Sequence, residues 1–275
     1  MDKVAFIYDF DKTLSPKDMQ EYGFIEDLKI FNPNDFWKKV DEMAKEHQMD
    51  RILTYMYVML DEARKQGKTI SKHHFHDYGR NVELFEGLLG WFDRINSIGF
   101  SMGLDIEHII VSSGLKSMID ATPIAHYFKK IYACEFVYNK DNEAIWPALA
   151  INYTTKTQFI YRINKGVLDL IDDVSLNSKT PHEIRPVRFD HMIYFGDGLT
   201  DVPSMKLITG NGGWAIAVYN ELSEKSKDVA SQLVTDRRVQ YMAPANYSKD
   251  SKLEQIVILM LRHMSSSDAL RKAKG

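Results

Sequence analysis

The chain has 275 residues, 44% of them hydrophobic, with 35 Lys and Arg against 38 Asp and Glu. That is enough for one large globular domain or a core domain carrying a smaller one, and too apolar for intrinsic disorder. The net charge of −3 leaves no positive excess to neutralise a phosphate backbone or hold the chain on an anionic bilayer, so neither nucleic acid nor membrane is expected as a partner. A single cysteine, Cys134, excludes an internal disulfide. The N-terminus lacks a basic stretch followed by an apolar run, and no apolar segment approaches the roughly 20 residues needed to span a bilayer. The expected location is the cytoplasm.

Val4 to Tyr8 is an apolar run without polar alternation, which predicts a strand buried on both faces, as in a parallel sheet. From Thr13 to about residue 85 the pattern is helical only, with segments near 18–31, 34–49, 50–66 and 70–80, broken by Asn32-Pro33-Asn34 and Gln66-Gly67-Lys68. The apolar residues of 52–63 run almost unbroken, as in a helix that lies between partners. Further on, helical patterns at 87–99 and 156–172 separate buried runs at 106–113, 190–197 and 213–220; Cys134 lies in another expected strand, 131–136, as a buried thiol. Alternation of strand and helix makes the core α/β, with a Rossmann-like parallel sheet. The expected division is a core of residues 1–13 and 86–265, an all-helical cap of 14–85, and a disordered tail of 266–275 after a helix at 252–264.

The ends of the buried runs carry the chemistry, where ligands of open α/β sheets bind. Asp9 and Asp11 follow the first run, Ser112 and Ser113 close the second, and Asp197 and Asp201 follow the third in a Gly-rich turn. Carboxylates gathered at buried strand ends are costly unless a cation joins them. Magnesium, which takes hard oxygen ligands together with waters and phosphate oxygens, suits such a set; zinc does not, for lack of a His or Cys partner. Ser112-Ser113-Gly114 offers a hydroxyl and backbone N–H groups to an anion, with a helix expected from Leu115. Lys156, at the start of a predicted helix, supplies a cation to balance the acids and a phosphate, with Lys165 as the alternative. His73, His74 and His76 point in different directions on a helix and are read as cap surface.

In this order the residues resemble the haloacid dehalogenase-like (HAD) hydrolases, whose pattern is D-x-D-x-T after a strand, a strand ending in Ser or Thr, a Lys, and a strand ending G-D-x-x-x-D. The matches are Asp9, Asp11 and Thr13, then Ser112, Lys156, and Asp197 with Asp201. The sequences DFDKTL, LFEGL at 84–88 and GDGLTDVPSM are similar to those of the phosphoserine-phosphatase-like group, which carries a helical cap between the first two motifs. The resemblance implies a Mg2+-dependent phosphatase acting on a small phosphomonoester. Asp9 is then the nucleophile, forming an aspartyl-phosphate, and Asp11 the general acid and base, with a pKa above that of Asp9. Thr13, Ser112, Ser113 and Lys156 bind phosphate. Asp9, the backbone carbonyl of Asp11 and Asp197 hold the metal, and Asp201 supports them from behind. Phosphotransfer to an acceptor other than water and a non-catalytic phospho-ligand-binding protein are the alternatives; the oligomeric state is open.

For the leaving group, the resemblance points to Asp18, nine residues after the nucleophile, as a partner for a substrate ammonium, with capping of a helix start as its other reading. Where the family carries a carboxylate-binding arginine, the chain offers Tyr55, Met56 and Tyr57, with Arg51, Arg64 and Arg80 of unknown direction. The expectation is a neutral or cationic phosphoester in preference to phosphoserine.

Overall fold

The computed structural model of the chain describes residues 1–30 and 32–273. Seven strands form one sheet: β1 Asp2–Tyr8, β2 Leu104–Leu115, β3 Phe128–Tyr138, β4 Ala144–Leu149, β5 Met192–Gly196, β6 Trp214–Tyr219 and β7 Tyr241–Pro244, in the order β4-β3-β2-β1-β5-β6-β7. All neighbours are parallel except β3 and β4, which pair as an antiparallel hairpin. Strand β1 is central, and Val4 to Tyr8 have no solvent exposure, as an apolar run without alternation requires. The four buried runs read from the sequence are β1, β2, β5 and β6. The two edge strands, β4 and β7, were not anticipated. Each contains a proline, Pro147 and Pro244, which lacks a ladder donor and argues against a strand in sequence, yet is tolerated at a sheet edge.

The insertion after β1 holds four helices, α1 Phe24–Asp27, α2 Pro33–His47, α3 Arg51–Lys65 and α4 Lys72–Arg80, before a fifth returns the chain to β2. Each of the three longer ones has its start signal: Asn32 accepts from Asn34 N–H with Pro33 in the first turn, Asp50 accepts from Ile52 and Leu53 N–H, and Ser71 forms a reciprocal capping box with His74. The helix expected over 18–31 is not continuous. A 3-10 turn at Met19–Glu21 and the single turn α1 flank Gly23, whose φ of 110° no helix allows and against which the Tyr78 ring packs. Phe31, the end of that prediction, lies outside the described residues.

The remaining helices are α5 Leu88–Ser101, α6 Lys116–Ile119, α7 Lys156–Lys165, α8 Asp173–Asn177, α9 Val202–Gly210, α10 Glu224–Thr235 and α11 Lys252–Lys272. Three sequence expectations are corrected here. The helix after Ser113-Gly114 starts at Lys116 and has four residues. The helix from Lys156 stops at Lys165 rather than 172, because Gly166 takes the left-handed conformation, φ 72°, that ends it. The tail expected to be disordered is helical to Lys272: Asp268, buried, bonds Arg188 and His191, partners some 80 residues away that local pattern does not reveal. Lys274 and Gly275 lie outside the described residues. Among the described residues no helix is long and apolar enough to cross a membrane.

Buried apolar side chains form one continuous cluster that includes Phe36, Tyr55 and Phe75 of the helical insertion, so the insertion is packed onto the sheet. Phe75 of α4 stacks on Phe136 of β3 with parallel rings 5.7 Å apart. In register, Tyr8 lies opposite Ile110 of β2 and Phe195 of β5. The residues that follow, Asp9, Val111-Ser112 and Gly196-Asp197, therefore leave the sheet side by side beneath the insertion.

Candidate active site

The chain turns sharply after β1. The Phe10 carbonyl accepts from the N–H groups of Thr13, Leu14 and Ser15 at 3.2, 2.8 and 3.3 Å, and Lys12 takes the left-handed φ of 58° that such a turn needs. This returns Asp9 and Asp11 to the end of the sheet. Asp9 is anchored by its own N–H on Phe195 O at 2.9 Å, and its Oδ1 accepts from Phe10 N–H at 2.8 Å. Its Oδ2 lies 3.0 Å from Lys156 Nζ, which also donates to Asp201 Oδ1 at 2.7 Å. Tyr194 of β5 donates its hydroxyl to the same Asp201 oxygen at 2.7 Å. A Cβ at Gly196 would overlap the Asp201 carboxylate, so the glycine ending β5 makes room for this contact.

Asp9, Asp197 and Asp201 each offer an oxygen within 4.8 Å of the others. Three carboxylates face one buried ammonium, and Asp201 Oδ2 is buried without a partner. The set fits a divalent cation, which would supply the positive charge that the three carboxylates and the orphaned Asp201 oxygen lack. The electrostatics agree. Burial, with Asp201 adding to it, raises the Asp9 carboxyl to about 6, although Lys156 and the Phe10 N–H draw it down. Burial and the Asp201 and Asp9 charges push Asp197 well above the ordinary carboxylate range. Lys156 is fully buried, yet Asp201 and Asp9 outweigh desolvation and hold it well above its usual pKa.

Asp11 faces the opposite side of the pocket. Its Oδ1 accepts from Met19 N–H at 3.0 Å, and its carboxylate is not one of the three that converge. Burial first, then the Asp18 and Asp9 charges, lift its pKa well above the usual value, against Lys12 and the Met19 N–H. Gly114 leaves space for it: a Cβ there would collide with Met19 and come within 3.2 Å of Asp11 Oδ2. Ser112 Oγ accepts from Gly114 N–H at 3.0 Å, shaping the loop, whereas Thr13 Oγ1 and Ser113 Oγ are buried and unpartnered. Asp9, Asp11, Lys12, Ser112, Ser113 and Asp197 line a cavity of about 680 Å³ between sheet and insertion; Thr13, Lys156 and Asp201 lie behind its wall.

Of the sequence-stated candidates, Asp9, Asp11, Thr13, Ser112, Ser113, Lys156, Asp197 and Asp201 gather here. Lys165 does not: it sits at the far end of α7, donating to the Leu176 and Ser178 carbonyls at 2.5 and 2.8 Å. Asp18 lines the cavity without capping the turn that follows, its Oδ2 held by Lys12 Nζ at 2.6 Å. Tyr55 lines it and donates to Ser113 O at 2.8 Å, while Tyr57 is exposed and outside it. Arg51 also lines the cavity; Arg64 and Arg80 do not. Cys134 is buried against Ser113 O and Ile151 N–H at 3.3 Å, and burial raises its thiol to about 11.

Sequence reading missed Lys12, Gln20, Trp37, Tyr153, Tyr194 and Lys225. Only Tyr194 had a usable signal, a hydroxyl in a fully buried strand that must find a partner. The others reach the cavity from loops, from the insertion or, for Lys225, from the start of α10, and their placement is tertiary.

No family model matches the chain. It is 27% identical over 277 residues to an uncharacterized protein of Borreliella burgdorferi, covering 91% of this chain and 93% of that one. Among solved structures it is similar to a HAD family hydrolase from Salmonella enterica serovar Typhi, with a TM-score of 0.60, 15% identity and 93% and 70% of the two chains covered. It is likewise similar to a phospho-aspartyl intermediate analogue of phosphoserine phosphatase, with a TM-score of 0.55, 13% identity and 94% and 98% covered. This is the HAD hydrolase fold, in its phosphoserine-phosphatase-like form. A probable phosphoserine phosphatase from Vibrio cholerae shares that fold at a TM-score of 0.60 and 11% identity over 97% of this chain and 67% of its own. In this HAD fold the buried acidic triad is compatible with a metal ion.

Proposed function

We propose that the chain is a Mg2+-dependent phosphatase that hydrolyses a small phosphomonoester through an aspartyl-phosphate on Asp9, with the helices between β1 and β2 as its cap. The observation that carries this reading is the buried Asp9–Lys156 contact of 3.0 Å beside Asp197, in a cavity wide enough for a substrate. An Asp9 oxygen attacks phosphorus and the bond to the leaving alcohol oxygen breaks, while Asp11 gives that oxygen its proton. Asp11, now a carboxylate, takes a proton from the water that attacks the phosphoryl group, which frees Asp9 and releases inorganic phosphate. Burial and the Asp18 and Asp9 charges raise the Asp11 carboxyl, the direction that a general acid needs. Asp9, Asp197 and the Asp11 carbonyl would hold the metal, which when bound neutralises charge on the phosphoryl oxygens. Lys156 keeps Asp9 oriented and offsets the same charge, and Asp201 in turn fixes Lys156. Thr13, Ser112 and Ser113 supply donors to the phosphate.

The charge around the cavity alters the substrate expectation. Asp18, the intended partner for a cation, is already paired with Lys12, and Arg51, paired with Asp41 at 2.6 Å, and Lys225 line the same space. This favours a leaving group that carries hydrogen-bond acceptors or a negative charge over a cationic one. The test is phosphate release from a panel of phosphomonoesters, some with cationic, some neutral and some anionic leaving groups, with and without Mg2+. Release that requires the metal is expected, fastest for anionic or oxygen-rich leaving groups; an inert wild type across panel and metals removes the reading, and cationic substrates leading the panel removes its second half.

A further inference from the structure

Helix α3 reaches two loops of the site. Tyr55 holds the Ser113 carbonyl, as described, and at the helix start Asp50 holds Asn152 in the loop that leads into Lys156. The side chain of Asn152 is divided between two tasks. Its Oδ1 accepts from Thr154 N–H, Thr154 Oγ1 and Thr155 N–H at 3.1, 3.1 and 2.9 Å. These bonds close the turn whose next N–H, that of Lys156, donates to the Asn152 carbonyl at 3.0 Å. Its Nδ2 donates to Asp50 Oδ2 at 2.8 Å. Asp50 is divided in the same way: its Oδ1 accepts from Ile52 and Leu53 N–H at 2.9 and 3.0 Å, capping α3. With one atom Asp50 caps α3 and Asn152 closes the turn that leads into α7, and with the second atom each side chain holds the other.

Capping alone does not explain the pair. Ser, Thr, Asp or Asn would cap α3 about equally well, and the 152–155 turn needs only a side-chain oxygen. An amide opposite a carboxylate adds a donor facing an acceptor while both local roles remain. The consequence falls on Lys156, the first residue of α7, whose Nζ sits between Asp201 and Asp9. A shift of the 152–155 turn moves that nitrogen, and an ångström of misplacement at a reacting centre costs on the order of a hundredfold in rate.

We propose that Asn152 is a positioning residue that couples docking of α3 to the placement of Lys156; its kinetic consequence rests on the phosphatase reading above. Asn152→Asp keeps the oxygen that builds the turn but sets a carboxylate against Asp50. It is expected to lower kcat about tenfold to a hundredfold with KM within about twofold. Adding Asp50→Asn reverses donor and acceptor across the same gap and leaves a capping oxygen for α3 and a turn oxygen at 152, so the double variant is expected to recover to within about threefold of wild type. Asp50→Ser keeps the α3 cap and removes the second oxygen, a variant that folds even if two facing carboxylates do not. Hydrogen exchange followed by mass spectrometry supplies a readout independent of turnover: amides in the first turn of α7 are expected to exchange faster in Asn152→Asp and Asp50→Ser and to regain protection in the exchanged pair. An α7 first turn unaltered by Asp50→Ser, or an exchanged pair no better than Asn152→Asp, overturns the coupling. If wild type releases phosphate and either result is found, the phosphatase reading stands alone; if wild type is inert, the exchange data still decide.

Discussion

Five residues of β5 separate two clusters of buried charge that are built on opposite plans. At the N-terminal end, His191 joins Asp190 and Asp268 at 2.9 and 2.7 Å, while Arg188 and Arg271 complete the set. Two aspartates meet two arginines and a histidine, and all four carboxylate oxygens are engaged. His191 and Arg271, against burial, hold Asp190 well below the ordinary carboxylate range. At the C-terminal end Asp9, Asp197 and Asp201 share one lysine, one oxygen has no partner, and the pKa values move up instead of down. A balanced network ties α11 to the sheet and contributes to stability. An unbalanced one, with three carboxylates to one ammonium, is a cost to the fold that a bound cation would relieve.

The sharpest way to break this comparison is Asp9→Asn. Phosphate release is expected to fall by at least about a thousandfold, while metal-free melting stays level or rises, because one of three crowded carboxylates has lost its charge. Turnover close to wild type, or a large drop in melting temperature, would contradict the assignment of cost and function to the same end.

Acid titration separates the molecule next. His108, in the core between the two ends, bonds Tyr8 Oη at 3.1 Å and Asn96 Oδ1 at 2.9 Å, and burial lowers its pKa to about 3. The unfolded chain binds a proton near pH 6.5 that the folded chain refuses until about pH 3, so His108 contributes stability that is full above 6.5 and lost as pH falls through that window, up to about 5 kcal/mol. Asp9 acts with the opposite sign. Its folded pKa of about 6 exceeds the unfolded 3.8, so in metal-free protein its contribution falls as pH rises from 3.8 to 6. Denaturant melts of wild type, His108→Gln and Asp9→Asn across pH 4–7 should show the two slopes removed separately; parallel curves would refute both.

Asp268→Ala leaves His191 and Arg188 without the buried one of their two shared partners and is expected to cost about 3 kcal/mol. Phosphate release per folded molecule should be unchanged, and a loss of turnover at unchanged stability would mean that the two ends are not separate. The smallest effect is expected for Lys165→Ala. The side chain holds carbonyls after α8, so activity should remain within about twofold of wild type while Lys156→Ala abolishes it.

The sequence by itself determined the buried strands and the chemistry at their ends. Val4–Tyr8 and its counterparts in β2, β5 and β6 are apolar without alternation because both faces are covered, and a parallel sheet requires them to point the same way. Once strand direction is known, Asp9 and Asp197 must meet, because each follows its strand directly, and Ser112, near the end of β2, lies beside them. Tertiary structure alone decided what depends on partners far along the chain. Lys156 rather than Lys165 faces Asp9 because Gly166 ends α7 and the Asn152 turn aims its start. Pro147 and Pro244 sit in strands because those strands are edges, and the tail is helix because Asp268 finds Arg188 and His191. Asp18 faces Lys12, and Arg51 faces the cavity, because the insertion docks in one orientation on the sheet. Periodicity and turn chemistry act over a few residues; these contacts join residues whose separation in sequence carries no periodic signal.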